Sequence, residues 1–172
     1  MKKLYPNLYL KKVEDITIET LIKNKIKLLI LDVDNTLIDY YKKLSESIVN
    51  WTKQMKGQGI KLYILSNTNN EKKVEDVAQT LQIPYKHFAM KPLKRGFNYI
   101  QKETNIKPEN IAVVGDQIFT DVLGGNRSKM FTILVDPIDS KKDYWYTAWK
   151  RPIENKIKNK YKTKEEKNKN VY

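Results

Sequence analysis

The residues of this chain that could do chemistry fall into four short polar segments spaced along the sequence. They supply two pairs of carboxylates, a hydroxyl with a neighbouring amide, and an ammonium. In chain order the residues are Asp32, Asp34, Ser66, Asn67, Lys91, Asp116 and Asp121. Carboxylates for a divalent cation, with donors and a cation for phosphoryl oxygens, are what a magnesium-dependent phosphoryl-transfer site requires. The pattern therefore predicts such a site, with Mg²⁺ as its cofactor.

The first two carboxylates, Asp32 and Asp34, directly follow an apolar run at residues 28–31. Asp32 is the expected nucleophile, because a carboxylate can attack a phosphate ester in line and form an aspartyl-phosphate. Asp34 points the same way along an extended segment, so it can protonate the leaving oxygen and then activate water. Alone, Asp-x-Asp-Asn could equally cap a turn. The apolar run before it and Asn-Thr-Leu after it favour a catalytic pair.

Apolar runs predict the strands that position these segments. The five runs are residues 28–31, 60–65, 88–90, 111–114 and 132–135. Their near-continuous apolar character is typical of parallel strands that are covered on both faces. Helical patterns lie between them, and this alternation predicts an α/β fold with a doubly wound parallel sheet of about five strands. Each polar segment then lies at or near the carboxyl end of a strand, where open α/β sheets bind their ligands.

Three helices are predicted between these strands from apolar spacing and from cap and breaker residues. Their expected boundary residues are Ser45 with Gly57 or Gly59, Asn69 or Asn70 with Pro84, and Pro92 as the first residue of the third helix.

The chain divides into three parts. Residues 1–26 are expected to pack on the core as a loop and a short helix at 18–24, and residues 27–139 form the core itself. Residues 140–172 form a basic C-terminal helix and tail. The last dozen, 161–172, have almost no apolar content and are expected to be disordered.

Composition limits the class of protein. The 172 residues suffice for one domain with a buried core. Cysteine is absent, which excludes disulfides and cysteine nucleophiles and fits a reducing cytoplasm. No apolar segment approaches the roughly 20 residues that span a bilayer. We therefore expect a cytoplasmic protein without a transmembrane segment, at most peripheral at the inner face of the membrane.

The charge balance has two possible explanations, an anionic partner or a compositional bias toward lysine. A net charge of +13 suits either nucleic acid or an anionic membrane surface. All but three of the 33 basic residues are lysine, whereas proteins that read nucleic acids depend on the bidentate fork of arginine. We therefore do not expect nucleic acid as a partner.

Together the four segments resemble the motifs of the haloacid dehalogenase (HAD) superfamily of aspartate-nucleophile phosphatases. In detail they resemble the cap-less subfamily IIIA, which includes phosphatidylglycerophosphate phosphatases of bacterial and mitochondrial type. The likeness covers most of residues 5–140. It rests on Leu-Asp-Val-Asp-Asn-Thr-Leu at 31–37, Ser-Asn-Thr-Asn-Asn at 66–70, Lys-Pro at 91–92 and, most distinctively, the run from Gly115 to Arg127.

The resemblance implies a role for each acidic residue. Asp32 and Asp116 would bind the Mg²⁺ ion through their side chains, and Asp34 would bind it through its backbone carbonyl. Asp121 would orient waters or Lys91 from outside the direct ligands.

It also implies how the phosphoryl group is held. Ser66 and Asn67 would bind the phosphoryl oxygens through the hydroxyl and backbone N–H groups. Lys91 would offset the charge on Asp32 and on the phosphoryl group, with Lys94 as the weaker alternative.

Two further residues have open roles. Arg127, one of only three arginines, could bind a second phosphate or a substrate head group, or could pair with a surface carboxylate. His87, the single histidine, is expected to pack against its neighbours rather than to act in catalysis.

The spacing of the segments leaves no room for a cap domain. Only 33 residues separate Asp32 from Ser66, and 24 separate Ser66 from Lys91. Such an open site suits a substrate that brings its own cover, which means a protein, a nucleic-acid end or a lipid head group.

The C-terminal part carries a stripe of apolar residues among lysines. Its members are Trp145, Trp149, Ile153, Ile157 and Tyr161. If helical, this face could lie at a lipid interface. Alternatively, the two tryptophans dock onto the helices that cover the sheet.

The expected function is Mg²⁺-dependent hydrolysis of a phosphomonoester, with phosphatidylglycerophosphate, an anionic phospholipid, as the favoured substrate. Within the enzyme class the alternatives are a phosphoprotein, a nucleic-acid end or a sugar phosphate. From a different class, the alternative is a non-catalytic basic module that binds RNA or ribosomes. The four intact carboxylates argue against that module. The sequence leaves the oligomeric state open.

Overall fold

A computed structural model describes residues 2–139 and, beyond them, residues 152, 155–157 and 159. Six strands form one sheet in which all neighbouring strands are parallel. The strands are β1 (Leu8–Leu10), β2 (Leu28–Leu31), β3 (Lys61–Leu65), β4 (Tyr85–Lys86), β5 (Ile111–Gly115) and β6 (Phe131–Val135). They lie side by side in the order β1-β6-β5-β2-β3-β4.

Helices connect the strands and cover both faces of the sheet. They are α1 (Ile18–Lys23), α2 (Glu46–Gly57), α3 (Glu71–Leu81), α4 (Lys94–Thr104) and α5 (Leu123–Arg127). Short 3₁₀ turns occur at Lys2–Leu4, Val13–Asp15 and Pro108–Asn110, and a π-helical turn at Ile118–Val122 leads into α5.

Side chains of β2 alternate between the two faces of the sheet, as the strand period requires. Leu29 and Leu31 belong to the larger apolar cluster, which includes Trp51 of α2. Leu28 and Ile30 belong to the cluster on the other face. Because both faces of the central strands are buried, the polar segments can extend only from the strand ends.

The predicted third strand at residues 88–90 is wrong. The strand lies earlier, at Tyr85–Lys86. Phe88 and Met90 have φ values of 49° and 53°, in the left-handed region that an extended strand cannot contain. The apolar character of this segment has another origin, since Phe88 and Met90 are exposed on either side of the buried Ala89.

The N-terminal segment contributes a strand that the sequence did not predict. Residues Leu8–Leu10 form β1, which pairs with β6 at one edge of the sheet. Three half-buried residues are too few to produce an apolar run. The predicted short helix at 18–24 corresponds to α1, Ile18–Lys23.

Two helix starts agree with prediction and one does not. The Ser45 hydroxyl caps α2, and the Asn70 side chain caps α3. The prediction that Pro92 is the first residue of the third helix is wrong, because α4 begins at Lys94 with Leu93 as its N-cap. The Leu93 N–H instead closes a turn onto the Met90 carbonyl at 2.9 Å, with Pro92 inside the turn.

No cap domain is inserted between the polar segments in the part of the chain that the structure describes. After β2 the chain forms a small turn, with isolated bridges Asp34–Ile38 and Ile38–Leu44, and enters α2. Among the described residues, no helix has the length and apolar character needed to cross a membrane.

The predicted basic helix and tail at 140–172 lie outside the described residues, apart from the few C-terminal positions named above. Of the predicted apolar stripe, only Ile157 is described. It packs, partly buried, against the cluster of Ile118, Val122 and Leu134.

Candidate active site

The polar segments meet at the carboxyl edge of the central strands. Leu31 at the end of β2 lies beside Ile64 of β3 on one side and Val114 of β5 on the other. The Asp32 N–H continues this ladder by donating to the Val114 carbonyl at 3.0 Å. The parallel register therefore brings the residues that follow the three strands together, as expected for an open α/β sheet.

Lys91 joins two of the carboxylates. Its Nζ lies 2.6 Å from Asp32 Oδ1 and 2.6 Å from Asp121 Oδ1, and its side chain is only 3% exposed. Burial acts to lower the pKa of the Lys91 ammonium, but Asp121 and Asp32 outweigh it and raise this pKa above its ordinary value. The ammonium is therefore charged. Lys94, the alternative from the sequence, is exposed at the start of α4.

Asn67 fixes the backbone of Lys91. Its Nδ2 donates to the Lys91 carbonyl at 2.9 Å, and its Oδ1 accepts from the Lys91 N–H at 2.6 Å. The sequence placed Asn67 among the phosphoryl-binding residues. The structure shows that both polar groups of its side chain are bonded to the Lys91 backbone.

Ser66 is buried at the end of β3 and lines the same cavity as Asp32 and Asp34. Its hydroxyl accepts a hydrogen bond from the Thr68 N–H at 3.3 Å. Its carbonyl accepts from the Ala89 N–H at 2.9 Å. The loop after β3 is thus held in one shape beside the nucleophile candidate.

Three buried carboxylates could hold a metal ion. Asp32, Asp116 and Asp121 each offer an oxygen within 4.8 Å of the others. These are the hard oxygen donors that Mg²⁺ prefers. Both Asp121 oxygens are already engaged, one with Lys91 Nζ and one with the Gln117 N–H at 3.2 Å. The three carboxylates fit a divalent cation. Asp121 differs in that both of its oxygens are already bonded within the protein.

Electrostatics support the same conclusion. Burial raises the pKa of the Asp32 carboxyl well above its ordinary value of 3.8. Lys91 acts in the opposite direction, while Asp121, Asp116 and Asp34 raise the pKa further. A cation is what would allow these carboxylates to be ionised together.

Gly115 provides the space that this arrangement needs. A Cβ atom at Gly115 would lie 2.2 Å from Asp121 Cγ. The carboxylate that holds Lys91 therefore occupies the volume of a missing side chain.

A second lysine, Lys73, enters the site and was not found from the sequence. Its Nζ lies 2.6 Å from Asp34 Oδ1, and its side chain is 8% exposed. Lys73 is in the first turn of α3, directly after the Ser66–Asn67 loop. Its position directly after this loop was the signal that the sequence offered for Lys73. In a chain so rich in lysine, that position alone did not single it out.

The cavity at this edge has a volume of about 600 Å³. Besides the predicted residues, its lining includes Lys42, Lys73, Phe88 and Thr120. Arg127 lies partly buried at the end of α5, outside this lining. His87 lies beside Glu71, with Nδ1 3.5 Å from Oε1.

Comparison with known proteins agrees with this geometry. Residues 1–139 match the family model described as mitochondrial PGP phosphatase. The chain belongs to this family. A protein of Bacillus subtilis (strain 168) named probable phosphatase YqeG is 38% identical over 159 residues, 91% of each chain.

Solved structures share the fold of this family member. The uncharacterized protein from Listeria monocytogenes serotype 4b has a TM-score of 0.56 at 19% identity, over 69% of this chain and 85% of that one. The cobalt-bound deoxy-D-mannose-octulosonate 8-phosphate phosphatase from Haemophilus influenzae has a TM-score of 0.53 at 18% identity, over 64% and 68%. The predictions of a cap-less HAD-like α/β fold and of a phosphatase are confirmed.

Proposed function

We propose that this phosphatase hydrolyses the terminal phosphomonoester of phosphatidylglycerophosphate, using Mg²⁺ and an aspartyl-phosphate on Asp32. The observation that carries the mechanism is the buried bridge from Lys91 to Asp32 and Asp121, placed beside Asp34 at the strand ends. The family match supports the lipid substrate.

Asp32 acts as the nucleophile. It lies at the end of a buried strand and lines the cavity, so a phosphate in the cavity meets its carboxylate directly. Lys91 orients the attacking oxygen and offsets the charge that builds up as two anions approach. Ser66 and the backbone of the loop that follows it hold the phosphoryl oxygens during the transfer.

Asp34 serves the leaving group. It is more exposed than Asp32 and lines the same cavity, so it can reach the leaving oxygen and protonate it. In the second step the same carboxylate takes a proton from the water that hydrolyses the aspartyl-phosphate.

Asp32 and Asp116 would hold Mg²⁺ through their side chains, with the Asp34 backbone carbonyl as a further ligand. Such an ion supplies positive charge that stabilises the transferring phosphoryl oxygens. Asp121 stays bonded to Lys91 and so keeps the ammonium in place.

Features around the cavity support a lipid substrate and a peripheral position at a membrane. In the part of the chain that the structure describes, no cap domain covers the site, so a substrate that excludes water itself is suited to it. Two loops that contribute Lys42 and Phe88 to the cavity lining also carry exposed apolar side chains: Tyr40 and Tyr41 directly before Lys42, and Phe88 itself with Met90. A bilayer would both cover the cavity and contact these side chains.

The deciding experiment measures phosphate release from phosphatidylglycerophosphate in mixed micelles, with and without Mg²⁺. We expect Mg²⁺-dependent release that Asp32→Asn abolishes and that Asp76→Asn, a change on the exposed face of α3, leaves unchanged. Release from an aryl phosphate but not from the lipid would discard the lipid and leave a phosphoprotein, a nucleic-acid end or a sugar phosphate. No release from either would favour a non-catalytic binding module.

A further inference from the structure

We propose that Lys73 and Lys42 form a second anion-binding subsite on the leaving-group side of the cavity. This subsite selects phosphomonoesters that carry another negatively charged group close to the reacting phosphate. The inference rests on the proposed function in taking Asp32 as the nucleophile and Asp34 as the acid, but it needs no lipid.

Lys73 is held in the site by the start of α3. Its backbone N–H donates to Asn70 Oδ1 at 3.1 Å, which fixes the first turn of the helix. From there the side chain reaches Asp34, and it is 92% shielded from solvent (8% exposed). Placing an ammonium in such a position is costly unless it is paired. The nucleophile already has its own cation in Lys91, so Lys73 serves another part of the reaction.

The position of Asp34 shows which part that is. In an in-line transfer the nucleophile and the leaving oxygen lie on opposite sides of the phosphorus, and the acid must contact the leaving oxygen. The remainder of the leaving alcohol extends from that oxygen. Since Lys73 Nζ is 2.6 Å from Asp34 Oδ1, it lies beside the first atoms of that alcohol. An ammonium has three donors, so Lys73 can hold Asp34 and an anion on the alcohol together.

Lys42 brings a second cation to the same cavity. It lies in a tight turn in which the Lys42 N–H donates to the Asp39 carbonyl at 3.0 Å and the Lys43 N–H donates to Asp39 Oδ1 at 2.8 Å. Its φ of 63° is left-handed, a conformation that a non-glycine residue adopts at some energetic cost. The turn places Lys42 in the lining of the catalytic cavity.

Charge in the cavity favours an anionic leaving group. Among the described residues of its lining, three lysines (Lys42, Lys73 and Lys91) stand against two carboxylates, Asp32 and Asp34. Asp116 and Asp121 lie close to Asp32 outside this lining, and Asp121 pairs with Lys91 rather than with Lys42 or Lys73. A phosphomonoester alone also fills little of a cavity of about 600 Å³. A phosphodiester joined to the reacting phosphate through a short polyol has the charge and length to reach Lys73 and Lys42. This is the chemistry of a glycerophosphodiester, whether it is free in solution or the head group of a lipid.

The test compares two soluble esters with the same reacting group, glycerol 3-phosphate and glycerophosphoglycerol phosphate, the deacylated form of the proposed lipid. We expect the wild type to show a kcat/KM about tenfold higher for the second ester. Lys73→Met should remove this preference, mainly by raising KM for the doubly charged ester, and Lys42→Met should reduce it.

Lys72→Met is the matched control. Lys72 is the neighbouring residue on α3, but its side chain is 72% exposed and pairs with Glu75 and Asp76 on the surface. This variant should keep the wild-type preference. Lys42 lies on an exposed turn, so the Lys42 variant remains informative even if Lys73→Met unfolds.

Three results would overturn the proposal. The wild type could treat both esters alike, Lys73→Met could lower kcat equally for both, or the two variants could leave the preference intact. The second result would mean that Lys73 only positions Asp34. Calorimetric binding of both esters to Asp32→Asn protein with Mg²⁺ separates this question from turnover. Equal affinities there would reject the subsite, whether or not the wild type hydrolyses either ester.

Discussion

At the scale of single residues, Lys91 is the cation around which the site is arranged. Its ammonium bonds to two buried carboxylates, and its backbone bonds to both polar groups of the Asn67 side chain. A buried ammonium needs carboxylate partners, because without any of them its charge would be uncompensated. The same contacts place the Lys91 ammonium directly beside Asp32, the proposed nucleophile.

We expect Asp32→Asn to raise the melting temperature of the protein in EDTA by about 2–4 °C at pH 7. Burial raises the pKa of Asp32, and the neighbouring carboxylates raise it further against the effect of Lys91. A carboxyl group with a higher pKa in the folded than in the unfolded state binds its proton more tightly when folded. It therefore destabilises the fold when ionised, at pH values above its unfolded pKa.

Thermal unfolding in EDTA at several pH values checks the sign of this effect. The advantage of Asp32→Asn should shrink as the pH falls toward the ordinary pKa of 3.8, because the wild-type carboxyl group then becomes protonated in both states. Added Mg²⁺ should stabilise the wild type more than the variant. A variant that melts below the wild type at pH 7 would show that the bond to Lys91 outweighs burial.

At the scale of secondary-structure elements, the end of β5 controls where Lys91 lies. We expect Gly115→Ala to lower kcat about 100-fold, since a displacement of 1 Å can have an effect of this size. Its Cβ would lie 2.2 Å from Asp121 Cγ and 2.6 Å from Asp121 Cβ, so Asp121 must move and weaken its hold on Lys91. Steady-state kinetics with an aryl phosphate measure the loss.

Gly57→Ala is the control for this prediction. Gly57 is the last residue of α2, and a Cβ there would have no atom within 4 Å. The variant should keep wild-type activity and gain up to about 1 kcal/mol in stability from the better helix former. Wild-type kinetics in Gly115→Ala would mean that the π-helical turn can shift without affecting the site.

The four inner strands were predictable from the sequence, and the two edge strands were not. The inner strands β2, β3, β5 and β6 are buried on both faces over almost their whole length, so each contains a nearly continuous apolar run. The predicted bounds agree with the observed ones within one residue at either end. The edge strands β1 and β4 have only three and two residues and are half-buried. Their pairing depends on neighbours that are distant in the chain, and no local pattern reveals it.

The site divides in a similar way. Residues at the strand tips were predictable because strand direction alone brings them together. Lys73 meets Asp34 across 39 positions of the chain, and this contact depends on the rotation of α3 against the sheet. The bonds from the Asn67 side chain to Lys91 likewise depend on tertiary structure, because they join the loop after β3 to the segment before α4.

At the scale of the whole molecule, exposed apolar side chains lie in the two loops that contribute Lys42 and Phe88 to the cavity lining. We call these side chains the apolar rim and define it as Tyr40, Tyr41, Phe88 and Met90. The two tyrosine rings contact each other edge to face at 5.6 Å between centroids. Phe88 is 57% exposed. Its loop is fixed to the loop after β3 by the Phe88 N–H bond to the Thr68 carbonyl at 2.9 Å. Phe88 and Met90 also have left-handed backbone, which is a local energetic cost for residues that carry side chains.

We expect the double change Tyr40→Ser with Tyr41→Ser to weaken binding to phosphatidylglycerol vesicles about tenfold, because two interfacial aromatic side chains are lost. Hydrolysis of soluble glycerophosphoglycerol phosphate should stay near the wild-type rate, since neither tyrosine is part of the lining of the catalytic cavity. Vesicle co-sedimentation at low and high salt measures the binding, and higher salt should weaken the lysine contribution in both proteins.

Ile22→Ser is the control for this prediction. Ile22 is 67% exposed on α1, which leads into the amino end of β2, at the edge of the sheet opposite the cavity. If Ile22→Ser weakened vesicle binding as much as the tyrosine changes do, the rim would have no special part in docking, and the lipid would have to reach the cavity through another face.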